Sequence, residues 1–143
     1  MTHQYDDISV ILNDHVAVVE IQRPPHNFFD VSLIRQIANA FDTLDDNPAC
    51  RAIVLASEGK SFCAGANFGS GGSDTSASAE FTEEGFMNTT GTLYREGVRL
   101  FSARKPIVAA VQGAAIGGGL GLSLVADFRI ASPEARFAAN FAK

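Results

Sequence analysis

The sequence predicts an α/β fold built on parallel strands. Three observations carry that expectation. Short runs rich in β-branched residues recur along the chain, helical periodicities fill the gaps between them, and the connections are short. Strands that alternate with helices in this way pair in parallel through right-handed crossovers.

Taken in order, ISVILN (8–13) and HVAVVEIQ (15–22) read as a hairpin closed at Asn13 and Asp14. RPPHN (23–27) ends the ladder, because proline has no N–H to donate. Asp30 is placed to cap a helix in which Leu33, Ile34, Ile37, Ala38, Phe41 and Leu44 form one apolar stripe. Asn47-Pro48 closes that helix, and AIVLAS (52–57) follows as a strand expected to be buried on both faces. GSGGSDTSASAE (69–80) is too polar and flexible to hold itself in place and reads as a mobile surface loop. A second helix is expected from Thr82 to Lys105, with Phe86, Leu93, Tyr94, Val98 and Phe101 on one side. PIVAAV (106–111) is another buried strand, LGLSLVA (120–126) a short helix and FRIAS (128–132) a further strand.

The totals bound the function. A chain of 143 residues holds one cored domain, spanning 1–143. A net charge of −5, with no basic run, argues against a nucleic-acid partner. No stretch has the apolar length of a membrane span, and the first residues lack a secretory signal, so a cytoplasmic location is expected. The two cysteines, Cys50 and Cys63, cannot build a disulfide framework. His3, His15 and His26 are too scattered to suggest a metal site.

Three familiar motifs fail on spacing. A dinucleotide fingerprint starting at Gly117 and Gly119 would need glycine where Leu122 stands. The phosphate loop suggested by Gly59-Lys60-Ser61 would need glycine at Val54. Neither Ser70 nor Ser123 has the flanking glycines of a nucleophile elbow. What remains is a pair of small-residue loops, EGKSFCAGANF (58–68) and GAAIGGGLG (113–121), each following a buried strand. Ligand sites in open parallel sheets collect beyond the carboxyl ends of strands, where bare backbone amides approach a ligand closely. Two such amides on one oxygen would make an oxyanion hole. The competing reading is that these glycines serve only close packing.

EGKSFCAGAN (58–67) and KPIVAAVQGAAIGGGLGLSLVADFRIAS (105–132) resemble the two signature segments of the crotonase (enoyl-CoA hydratase/isomerase) superfamily. VAVVEIQRPPHN (16–27) resembles its first hairpin and Arg-Pro turn. The resemblance implies a ββα spiral and an acyl-CoA thioester substrate, with no cofactor beyond the coenzyme A that the substrate carries. It puts the oxyanion donors at the amides of Ala66 and Gly118. It assigns Ala64 and Asn67 to the ligand-binding loop, Lys60 to the coenzyme A moiety, and His26 to the neighbourhood of the adenosine.

Two departures qualify that assignment. The family's two catalytic glutamates match positions 121 and 141, which here are Gly121 and Phe141. Neither can transfer a proton, which argues against plain hydration. Glu134, the nearest acid, reads as solvent-facing, and Asp127 matches an aspartate without a proton-transfer role. Family subunits are also nearly twice as long. The C-terminal helical portion that builds a trimer or hexamer is expected to be absent from this chain, so a homo-oligomer is expected of a full-length form. The alternatives are a non-catalytic acyl-CoA-binding or assembly protein, and a thiol enzyme using Cys63.

Overall fold

The computed structural model describes residues 4–67 and 83–141, with side chains described from residue 88 in the second stretch. The segment 69–80 and the side chain of Phe86 lie outside the described residues. The N-terminal hairpin is formed by β1 (Ile8–Asn13) and β2 (Val16–Ile21), antiparallel, with Ile8 opposite Ile21. Asp14 and His15 both have positive φ, which gives the two-residue turn the twist a hairpin needs.

Helix α1 (Val31–Asp46) starts where the Asp30 carboxylate accepts the Leu33 N–H at 2.9 Å. The whole predicted stripe from Leu33 to Leu44 is buried. Next come β3 (Ala52–Ser57), α2 (Glu83–Leu100), β4 (Ile107–Val111), β5 (Ala114–Ile116), α3 (Gly118–Leu124), β6 (Phe128–Ala131) and β7 (Arg136–Ala138). The main sheet has the order β1-β2-β3-β4-β6, parallel from β2 onward. A second layer pairs β5 with β7 and extends through isolated bridges at Cys63–Ala115 and Phe29–Ala66. Each parallel strand of the main sheet from β3 on is thus followed by a short strand or bridge in the second layer, the repeating unit of the spiral.

Three expectations need correction. β3 and β4 are not buried on both faces: Ile53, Leu55, Ile107, Ala109 and Val111 are buried, while Val54, Val108 and Ala110 between them are half-buried. Apolar composition on both faces does not ensure that both are covered, and the described elements close one face more fully than the other. Helix α2 ends at Leu100, short of Lys105, in a series of tight turns at Phe101, Ser102 and Ala103. Its expected stripe also splits. Leu93 packs against the core with Leu100, whereas Tyr94, Val98 and Phe101 are exposed. The short strands β5 and β7 had no separate signal in the sequence, because three residues are too few to show a period.

Candidate functional site

The turn after β2 and the loop after β3 are held together by one buried side chain. Asn27 is fully buried at φ 51°. Its carbonyl oxygen accepts the Arg23 N–H at 2.9 Å, and its amide donates to the Glu58 and Ser61 carbonyls at 2.6 and 2.8 Å. Backbone bonds complete the seam: the Lys60 and Ser61 amides both reach the Pro25 carbonyl at 3.0 Å, and the Ala64 amide reaches His26 at 2.9 Å. His26 Nδ1 and Ser61 Oγ are hydrogen bonded at 3.0 Å. Nothing in the sequence distinguished Asn27 from an ordinary turn asparagine; its role requires a partner loop whose two carbonyls lie 31 and 34 residues further along the chain.

The glycines of the loop 113–121 have separate duties. Gly113 has φ +62°, and a Cβ there would overlap the Lys60 carbonyl. Gly117 has φ +56° and makes the corner ahead of α3. A Cβ on Gly118 would overlap the Phe29 ring, and one on Gly119 the Cys63 carbonyl. Close packing is therefore real at Gly118 and Gly119. Gly121 differs, because a Cβ there meets nothing within 4 Å. Its place on α3 is open.

These contacts put the two loops side by side. The Cys63–Ala115 bridge is parallel, made by Cys63 N–H to Ala114 O at 3.0 Å and Ile116 N–H to Cys63 O at 3.1 Å. Ala66 and Gly118 each follow three residues beyond that bridge, in equivalent places on adjacent segments. At the Phe29–Ala66 bridge the bonds run from Phe29 N–H to Gly65 O and from Asn67 N–H to Phe29 O, so the Ala66 amide is not used. Among the described residues, neither the Ala66 nor the Gly118 amide has a backbone acceptor in a turn, loop or bridge.

A cleft of about 790 Å³ opens at the carboxyl ends of β3 and β4. It gathers Lys60, Ala64 and His26 from the expected set, together with Gln112, Glu134 and Arg136. Glu134 is exposed on its wall, as its polar turn suggested. Ala66, Asn67 and Gly118 do not line this cleft. Phe141 is exposed, and its ring comes to 4.0 Å from the Cβ position on Gly117. Arg136 and Asn140 were not singled out in the sequence; β7 brings Arg136 to the cleft, and the chain beyond it brings Asn140 to the Gly117 corner.

Two other residues resolve as structural. Asp127 receives the Ile107 N–H on its carboxylate at 2.8 Å and donates its own N–H to Ile107 O at 2.9 Å, which ties the end of α3 to β4. Cys63 is fully buried, and burial pushes its thiol up to about 11, so a reactive thiolate at neutral pH is not available from it. Among the described residues no cluster of His, Cys, Asp and Glu could hold a metal ion, and no helix is long and apolar enough to cross a membrane.

The family described as enoyl-CoA hydratase/isomerase matches residues 12–143. The chain belongs to the enoyl-CoA hydratase/isomerase family, in the crotonase superfamily. It is 35% identical over 145 residues to the Mycobacterium tuberculosis protein named "Probable enoyl-CoA hydratase EchA14", covering 98% of this chain and 52% of that protein. It is 32% identical over 133 residues to carnitinyl-CoA dehydratase of Proteus mirabilis, covering 91% and 48% respectively. The crystal structure of an enoyl-CoA hydratase from Shewanella pealeana superposes with TM-score 0.79 at 32% identity, covering 94% of this chain and 49% of that one. The chain thus spans about half the length of the relatives it matches.

Proposed function

We propose that this member of the enoyl-CoA hydratase/isomerase family binds an acyl-CoA thioester and stabilises the oxyanion of its enolate with the amides of Ala66 and Gly118. The supporting observation is that these two amides stand in equivalent places beyond the Cys63–Ala115 bridge, both without a backbone acceptor among the described residues. Donors already aimed where charge develops need no reorganisation, and each contributes about 3 kcal/mol to the transition state. Lys60, His26 and Arg136 on the neighbouring cleft offer cationic or hydrogen-bonding partners for the phosphates and adenosine of coenzyme A. Ala64 and Asn67 contribute backbone and polar contacts on the same loop. The substrate brings its coenzyme A with it, and the reading needs no separate cofactor.

Plain hydration is not the proposed reaction. It needs side chains that hold water and move its proton, and Gly121 and Phe141 do neither. Their absence equally supports a second reading, a non-catalytic acyl-CoA-binding protein. Both readings predict binding of crotonyl-CoA in calorimetry, so turnover separates them: residual hydration or double-bond isomerisation above the uncatalysed rate supports the first, and binding with neither supports the second. Binding is expected, with hydration lower than in a two-glutamate relative by a factor of about 10² to 10⁴. Gly121→Glu combined with Phe141→Glu is expected to raise hydration, because position 121 has room for the side chain. Wild-type turnover at the relative's level would overturn the exclusion of hydration, and absence of binding would overturn both readings. For the whole protein we propose a cytoplasmic homo-oligomer, a trimer or hexamer.

A further inference from the structure

We propose that Asn140 is a specificity-determining residue whose carboxamide hydrogen-bonds an oxygen on C3 of the bound acyl chain. The inference rests on the acyl-CoA reading above and adds the side chain that would read the acyl group. The Gly117 amide donates to Ala138 O at 2.8 Å, which fastens the end of β7 to the corner ahead of Gly118. Two residues further on, Asn140 Oδ1 lies 3.1 Å from the Cβ position of Gly117. A larger residue at position 117 would therefore displace the carboxamide, and glycine leaves it beside the corner.

The surroundings make this group distinctive. Phe29 lies against Gly118 and Phe141 against Gly117, both apolar. Gly121 presents open space, and Cys63 is a buried, protonated thiol. Asn140 is exposed and makes no side-chain hydrogen bond among the described residues. A carboxamide both donates and accepts, so it suits a 3-oxo group and a 3-hydroxyl alike. It cannot exchange a proton, which keeps its role to recognition. C3 is two bonds from the thioester carbon, so an oxygen there lies on the same side of the ligand as the oxygen assigned to the Ala66 and Gly118 amides when the two oxygens are syn.

Calorimetric titration of wild-type protein and Asn140→Ala with acetoacetyl-CoA and butyryl-CoA tests the inference, with circular dichroism to verify folding. Asn140→Ala is expected to weaken acetoacetyl-CoA roughly three- to tenfold, the net value of one hydrogen bond, while leaving butyryl-CoA unchanged. Asn140→Asp should also weaken acetoacetyl-CoA, because a carboxylate cannot donate. Equal losses for both ligands, or no loss for acetoacetyl-CoA, would overturn the role of Asn140 and leave the acyl-CoA reading standing. If neither ligand binds the wild-type protein, the acyl-CoA reading fails and this inference fails with it.

Discussion

Gly119 and Gly121 lie two residues apart on α3 under opposite constraints. A methyl group on Gly119 runs into the Cys63 carbonyl, and neither backbone segment can move without breaking the Cys63–Ala115 bridge. Gly119→Ala is expected to destabilise the fold by about 1–3 kcal/mol, the usual cost of overpacking. Gly121→Ala meets no obstacle and is expected to stabilise by up to about 1 kcal/mol through helix propensity. Chemical denaturation of the two variants checks the pair; effects of the same sign would show that packing does not distinguish the positions. The sequence made Gly121 conspicuous only through the family glutamate it replaces. That Gly118 and Gly119 are needed for contact with Phe29 and Cys63 was not legible, because those partners come from other segments of the chain.

At the scale of elements, the hairpin, the Arg-Pro turn and α1 meet at Asp7. Its carboxylate accepts from Arg23 Nη2 at 2.7 Å and from Gln36 Nε2 at 2.8 Å, while the Asp6 and Asp7 amides donate to Gln36 Oε1. The Arg23 hydrogen bond holds the Asp7 carboxyl below its ordinary value of 3.8. A carboxyl lowered on folding stabilises the native state above its unfolded value. That contribution disappears as pH falls through the lower, folded value. Asp7→Asn is therefore expected to lower the thermal midpoint at pH 7, with the gap to wild type closing below about pH 3.8. A gap independent of pH would assign the effect to packing instead. The elements themselves were largely legible. Asp30, the α1 stripe and AIVLAS (52–57) carry local signals for a cap, a 3.6-residue period and a strand. The apolar residues of α2 were less informative, since periodicity identifies an apolar face without identifying what covers it.

For the molecule as a whole, the exposed apolar residues have a physical consequence. Tyr94 and Val98 on α2 and Phe101 just beyond its end are each more than 60% exposed, as are Phe128 and Ile130 on β6, at the edge of the described sheet. Apolar surface of this kind, beside a strand edge left unpaired among the described residues, favours association. Sedimentation velocity is expected to show self-association at micromolar concentrations. Phe128→Lys combined with Ile130→Lys should shift the protein toward monomer. A wild-type monomer across that range would refute the expectation. Relatives that extend to about twice this length have further chain with which to cover such a surface.

By itself the sequence determined the hairpin, the capped helix, the succession of strands and helices along the chain and the two small-residue loops, because each depends on neighbours within a few residues. It also determined that Gly121 and Phe141 cannot move a proton, which is a property of residue type. Only the tertiary structure decided which glycines are required by contact, how Asn27 joins two loops, and that Cys63 is buried beyond reactivity. It alone brought Asn140 to the Gly117 corner. These features depend on contacts between segments far apart in the chain, and no local period or motif records such a meeting.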